Sequence, residues 1–393
     1  MAKPHFIIKN KFQKLSEQKG VFYKDVLSKV ILKDVCKRVT GRTNYSVQFD
    51  DDINEGRLAK LEYKGFINYI SFFEVDVKSR NSSFQSFPTA LVKFHLEPNP
   101  NKRIFFYFLP FDGSIETPYF VFMYRLMKTA GTVFLNESDY LTNAIIPFNS
   151  ISDIIAQRDL NRRKNKGNAS TYVTIDENDT LQIFGKTYGA NKYETTLICI
   201  AIQRITDFKM ELYEIQEGNL KKLPKEAREV IVSLGINVIT SDLILERQEF
   251  EKNDSLRSPT YIYNLLDKLG DKKCSLCDCE IPQIIQGTHV WAVSSIKKVN
   301  NINLDKKLEF AVDGDNGMWL CNNHHKLFDM NVLLITDEGR VKYKSNIRKN
   351  DSDFICDITS NYKIPDETLT TQFLQYLDKR NSIFNENLYS FIE

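Results

Sequence analysis

Between Cys274 and Asp329 the chain concentrates its scarce metal-binding side chains. The whole sequence has 5 histidines and 7 cysteines. His289, His324, His325, Cys274, Cys277, Cys279 and Cys321 all fall inside this one window. A segment that gathers soft and borderline ligands at short spacing is constrained first by the ion they would share. Cys274-x2-Cys277 and Cys321-x2-His324 form two knuckles separated by a long gap. Two such knuckles bring four ligands to a tetrahedral point with no open position, which suits structural zinc. Cys279 is a spare thiol close enough in sequence to displace Cys277.

A second set lies among the first: His289, Asn316, His325 and Asp329. His289 falls on a predicted strand, Ile284–Val293. Asn316 follows the turn-like run Asp313-Gly314-Asp315 and precedes Gly317. A short helix is predicted from Asn322. In it His325 and Asp329 are four apart, so an imidazole and a carboxylate share one face and can reach one cation. His324 then points about 100° away, towards the zinc side. Adjacent histidines on one helix can thus serve two different ions, one structural and one catalytic.

These residues resemble the HNH, or ββα-metal, endonuclease family. The likeness is to the restriction-endonuclease-like subgroup whose core reads N-G-x-x-L-C-x-x-H-H-x-x-F-D. It is carried by G-T-H-V at 287–290, N-G-M-W-L-C at 316–321 and H-H-K-L-F-D at 324–329. The predicted hairpin of Val332–Thr336 and Val341–Tyr343 agrees with it. The resemblance covers roughly the last third of the chain. It implies that His289 is the general base that activates water and that Asn316 holds the loop and orients His289. It also implies that His325 and Asp329 bind the catalytic ion, Mg2+ or Mn2+. Phosphodiester hydrolysis suits such a set, because one divalent ion stabilises charge on both the non-bridging and the leaving oxygens. Many family members carry Asp, Glu or His just before the base as a further ligand. Here that position is Thr288, so Asp313 or Asp315, water or phosphate oxygens would complete the shell.

With 393 residues, 42% of them hydrophobic, the chain is long enough for two or three cores. A formal net charge of +2 argues against a protein that coats DNA without selectivity. No signal peptide is expected, since Met1–Lys14 lacks an apolar core. No apolar run approaches 18 residues, so no membrane span is expected either. A cytoplasmic location follows, and with it cysteines kept as metal ligands rather than disulfides.

The expected architecture is a multidomain α+β chain. Mixed α/β recognition domains at 1–150 and 151–250 precede an HNH domain with structural zinc at 251–393. In the first, Val21–Val39 reads as an amphipathic helix closed by Gly41. Phe66–Val77, Thr89–Leu96 and Arg103–Phe111 read as strands by their aromatic and β-branched content. Tyr119–Lys128 fits helix or strand. Asp76-x-Lys78, with Asp50, Asp51 or Asp52 ahead of it, mimics a second nuclease core but is a short and common pattern. The second domain opens on the basic run Arg158, Arg162, Arg163, Lys164 and Lys166, either a solvated linker or an arm for phosphates. Lys326 is a further candidate DNA contact. Thr171–Ile175 and Thr180–Phe184 are predicted strands, as is Lys209–Ile215; Tyr193–Ile205 and Lys225–Leu234 are predicted helices. Arg247–Pro259 reads as a linker, Tyr261–Leu269 as a short helix and Asp366–Leu388 as a helix.

The function these features predict is site-specific cleavage of double-stranded DNA by a type II restriction endonuclease acting as a homodimer. The alternatives are a modification-dependent or phage-defence HNH nuclease, and a zinc-stapled DNA-binding protein without catalysis.

Overall fold

A computed structural model describes residues 3–9, 27–50, 58–73, 82–109, 115–164, 171–186, 191–216, 223–253 and 258–392. Contacts divide the chain into two compact units. One comprises Met1–Gln157, Thr187–Asp207 and Lys222–Val238; the other comprises Arg158–Lys186, Phe208–Lys221 and Ile239–Glu393.

The first unit is built on a six-stranded mixed sheet. Its strands are β1 (His5–Lys9), β2 (Ser46–Asp50), β3 (Leu58–Tyr63), β4 (Phe66–Phe73), β5 (Lys102–Phe108) and β6 (Val133–Phe134), in the order β2-β1-β3-β4-β5-β6. Helix α1 (Lys29–Thr40) starts where the Ser28 side chain accepts from the Ile31 N–H, and ends where Gly41 takes φ 72°. A left-handed cap of this kind favours glycine, which has no Cβ to clash. Leu32, Val35 and Cys36 of α1 pack on Phe6, Ile70 and Phe72 of the sheet. The sequence predicts this helix from Val21, but 21–26 lie outside the described residues.

Thr89–Leu96, expected as a strand, belongs instead to helix α2 (Ser82–Leu96). Phe87, Ala90 and Leu91 are fully buried, and this three-to-four spacing is what a helix face delivers to a core. Tertiary burial overrides the β-branched composition here. Helix α3 (Pro118–Thr129) settles the ambiguous Tyr119–Lys128 stretch, with Thr117 as cap and Pro118 in the first turn. Helix α4 (Ile151–Lys164) carries the chain into the second unit, and α5 (Asn191–Gln203) and α6 (Lys225–Ser233) return to the first. The Asp76-x-Lys78 pattern lies outside the described residues, as do Asp51 and Asp52.

The second unit opens with a small sheet of β7 (Thr171–Ile175), β8 (Leu181–Lys186), β9 (Met210–Gln216) and β10 (Asn237–Asp242), in the order β10-β9-β8-β7. Next comes α7 (Leu243–Lys252), where a linker is expected. Asp242 caps it by accepting from the Ile244 and Leu245 N–H groups, and Phe250 buries it. Helix α8 (Pro259–Leu269) follows, capped by Ser258. The predicted strand around His289 is shorter than expected, since β11 (Ile285–His289) gives way to α9 (Val293–Lys297). Helix α10 (Leu304–Val312) and a single tight turn, Gly314–Asn316, lead into β12 (Gly317–Cys321), which pairs antiparallel with β11. Helix α11 (Asn322–Asp329) leaves directly from β12.

The hairpin β13 (Leu333–Ile335) and β14 (Val341–Lys344) forms as expected. Part of the polar stretch after it is helical, α12 (Lys349–Ile358). The long helix expected over 366–388 is cut to α13 (Thr371–Asn381), which starts at the Thr370 cap after a separate turn at Asp366–Thr368, and β15 (Tyr389–Phe391) then completes the sheet beside β14. Tyr172, Phe184 and Ile215 of the small sheet share one apolar core with Trp319, Phe328, Phe373 and Leu377.

Candidate functional site

Helix α11 contributes to two groups of side chains, through His324 on one face and through His325 and Asp329 on another. In the first, Cys274, Cys277, Cys321 and His324 bring their ligand atoms within 4.8 Å of one another. Cys321 ends β12 and His324 lies on the first turn of α11, so a strand-to-helix corner supplies one knuckle. Cys277 Sγ and Cys321 Sγ are 3.9 Å apart, and His324 Nδ1 is 3.2 Å from Cys321 Sγ and 3.5 Å from Cys274 Sγ. A tetrahedral zinc with Zn–S of ~2.3 Å and Zn–N of ~2.0 Å spaces its ligands by ~3.8 Å (S to S) and ~3.5 Å (S to N). The group therefore fits zinc in both ligand type and spacing. His324 is fully buried, and its Nε2 lies 3.1 Å from Thr359 Oγ1. That hydroxyl spends its own hydrogen on the Ile355 carbonyl, 2.7 Å away. It can therefore only accept from Nε2–H, which leaves the Nδ1 lone pair facing the thiols. Cys279, the spare thiol, stands outside this group and offers its carbonyl to the Cys274 N–H.

The second centre begins with His289 at the end of β11. Its Nε2 is 2.8 Å from the Ala311 carbonyl. A carbonyl cannot donate, so Nε2 carries the proton and Nδ1 keeps its lone pair. The imidazole lies flat on the Tyr261 ring, with centroids 4.0 Å apart and planes 10° apart. Burial pushes the His289 pKa down to about 4; the Ala311 carbonyl opposes this and His325 adds to it. The ring is thus neutral near pH 7, as a general base must be.

Asn316 is fully buried and ties the loop together. Its Oδ1 accepts from the Trp291 N–H at 2.7 Å, and its Nδ2 donates to the Trp291 and Phe310 carbonyls at 3.1 and 3.0 Å. Its own carbonyl accepts from the Val290 N–H. Asn316 therefore fixes the residues that follow His289. On α11, His325 Nε2 and Asp329 Oδ2 stand 3.3 Å apart on one face. Two ligands at right angles on an ion ~2.1 Å away stand ~3.0 Å apart, so the pair fits a divalent cation. Residues 274–336 match the family model described as HNH endonuclease.

Residues 274–336 form an HNH endonuclease domain. No curated protein matches the chain.

The HNH domain is held by parts that its motif does not contain. Asp313 and Asp315, expected as spare ion ligands, are committed to the loop. Asp313 accepts from the Tyr376 hydroxyl at 2.8 Å and from the Asp315 N–H. Asp315 pairs with Lys268 Nζ at 2.5 Å and with the Thr370 hydroxyl. Thr288 alternates to the face opposite His289 in β11, where its hydroxyl is buried with no hydrogen-bond partner among the described residues. Arg380 of α13 is buried against Phe328 and donates to the Phe328 carbonyl and to Asn331 Oδ1, closing the end of α11. Burial lowers its pKa to about 10, with Asp329 pulling the other way.

Among the proposed DNA contacts, Lys326 is exposed on α11. Arg158 is buried, 3% exposed, and donates from Nε to the Thr171 carbonyl. Arg162, Arg163 and Lys164 end α4, and their side chains lie outside the described residues, as does Lys166. Sequence reasoning missed Tyr261, Lys268, Tyr376 and Arg380. The only trace they leave is an apolar or charged position on a helix. Among the described residues no helix is long and apolar enough to cross a membrane.

Proposed function

We propose that the protein is a site-specific DNA endonuclease that hydrolyses phosphodiester bonds at His289 with one divalent cation. The observation that carries this reading is the tautomer of His289. Its Nε2–H is spent on the Ala311 carbonyl, so Nδ1 is the free base. In the reaction Nδ1 takes a proton from water as the water oxygen bonds to phosphorus. The P–O3′ bond breaks, and the leaving oxygen collects a proton from solvent. Bound at His325 and Asp329, Mg2+ or Mn2+ would neutralise the charge that develops on the phosphate and leaving oxygens. Asn316 keeps the base in place, and the Cys274, Cys277, Cys321 and His324 group holds β12 and α11 together through zinc.

Roughly 250 residues precede the HNH domain, more than hydrolysis alone requires. A recognition role for the six-stranded first unit is the economical use of them. With Lys326 and the basic run from Arg162 as phosphate contacts, the protein would act as a type II restriction endonuclease in the cytoplasm. One centre per chain cuts one strand, so cleavage of a palindromic site calls for a two-fold homodimer.

The test is digestion of plasmid DNA with Mg2+ or Mn2+ beside the His289→Ala protein. Discrete fragments that vanish in the variant while DNA binding persists support the reading. Binding without cutting by the parent protein rejects it in favour of a recognition protein.

A further inference from the structure

The strand register puts His289 opposite Gly317 across the β11–β12 pair. A histidine at the end of a strand is free to turn about its side-chain bonds unless something else stops it. The Ala311 carbonyl fixes the direction of Nε2. That single bond leaves the ring plane free to rock about the hydrogen-bond axis. The Tyr261 face, 4.0 Å away and nearly parallel, removes this second freedom. The two restraints are perpendicular, one in the plane of the imidazole and one across it.

Tyr261 is itself wedged. A Cβ on Gly317 would overlap its hydroxyl oxygen and lie 3.0 Å from Cζ. A Cβ on Gly287 would lie 3.3 Å from Cε1. Two glycines on the paired strands thus form the floor on which the phenol ring lies. Among the described residues the Tyr261 hydroxyl is buried with no hydrogen-bond partner, so the ring face and not the hydroxyl makes the contact. Tyr261 sits on α8, ahead of the segment that matches the HNH family.

From this geometry we infer that Tyr261 is a positioning residue, a flat plate that sets the plane of the base His289 and so aims Nδ1 at the attacking water. The inference rests on the role given to His289 above. It separates the ring face from the hydroxyl. Tyr261→Phe keeps the face and discards an unpartnered polar group. Tyr261→Met fills much of the volume with a flexible chain that has no face.

The experiment pairs single-turnover cleavage of plasmid DNA, with Mg2+ or Mn2+, with a long-range 1H–15N spectrum of the histidine rings. Five histidines make that spectrum assignable. The expected result is a Tyr261→Phe rate within about two-fold of the parent. Tyr261→Met should fall about 10- to 100-fold in rate with unchanged DNA affinity, the scale of loss when a reacting group is misaimed. In the parent, His289 should give sharp signals of one Nε2–H tautomer, and in Tyr261→Met the same tautomer should persist with its ring signals broadened by motion of the ring plane. A folded Tyr261→Met protein with the parental rate and spectrum overturns the inference. So does a folded Tyr261→Phe protein that stops cutting, or a parent whose His289 already exchanges between tautomers. If the parent cuts no DNA, the nuclease reading fails, while the spectra still decide whether Tyr261 sets the ring.

Discussion

A histidine that takes a proton from water must be neutral and must keep one nitrogen free. His289 meets both conditions through burial and the Ala311 carbonyl. Its effect on stability follows from the sign of the shift. In the unfolded chain the ring gains its proton near 6.5, and in the fold only near about 4. Between those values the unfolded chain binds the extra proton, so stability rises with pH across the window and is lost as pH falls from about 6.5 towards about 4. Urea melts of the parent and of His289→Gln at pH 4.5 and pH 7 should differ in slope with pH, and the variant should be the flatter one. The acid limb of cutting should likewise lie below 6.5. At Asn316 one amide serves the Trp291 N–H and two carbonyls. Asn316→Ala orphans these buried groups and should cost about 2–4 kcal/mol, since each unmet group costs roughly 1–3 kcal/mol. Chemical denaturation checks this directly. The grouping of Cys274, Cys277, Cys321 and His324 was legible in the sequence because a metal centre fixes residue types at short spacing. Tyr261 was not legible, because stacking on an imidazole leaves no mark beyond an aromatic residue on a helix.

Helix α11 works as an element with two duties, since His324 faces the thiols and His325 faces Asp329. Its orientation depends on Thr359, which caps the end of α12, and on Arg380 from α13. Thr359→Val should weaken zinc by about 10- to 100-fold, the usual loss when the partner of a ligating histidine is removed. A competition titration with a chelator would measure it. The pairing of β11 and β12 depends on the bareness of Gly317. Gly317→Ala pushes a methyl into Tyr261 and Leu265 and should cost about 1–3 kcal/mol, read as a lower midpoint in thermal melts. Elements near the ligands could be read from sequence because knuckles, turns and the i, i+4 pair all agree. Thr89–Leu96 misled because its side chains suit either structure, and only packing of Phe87, Ala90 and Leu91 into a core decides for a helix. The same holds for α7, whose charged residues conceal one deeply buried Phe250.

At the scale of the whole molecule, the two ions should separate cleanly. Cys274→Ser removes a zinc ligand and should unfold the elements around α11, because the ion's binding energy is folding energy there. Asp329→Ala should leave the melting temperature near that of the parent and abolish metal-dependent cutting. Calorimetry and a nuclease assay on the two variants test both outcomes. Light scattering on the free protein and on its DNA complex should find a dimer, and a strict monomer in both states removes the palindrome argument. The parts that complete the centre also arrive in a definite order. By the time a ribosome has made the β13–β14 hairpin, every ligand and the base have been synthesised. Yet Asp313, Asp315 and the end of α11 still await Tyr376, Thr370 and Arg380. The growing polypeptide should therefore be a blade without a handle, able to take up zinc before α13 docks and to cut only afterwards. A chain stopped just before Thr370 should bind zinc and leave DNA whole, which a zinc titration and a plasmid digest would check.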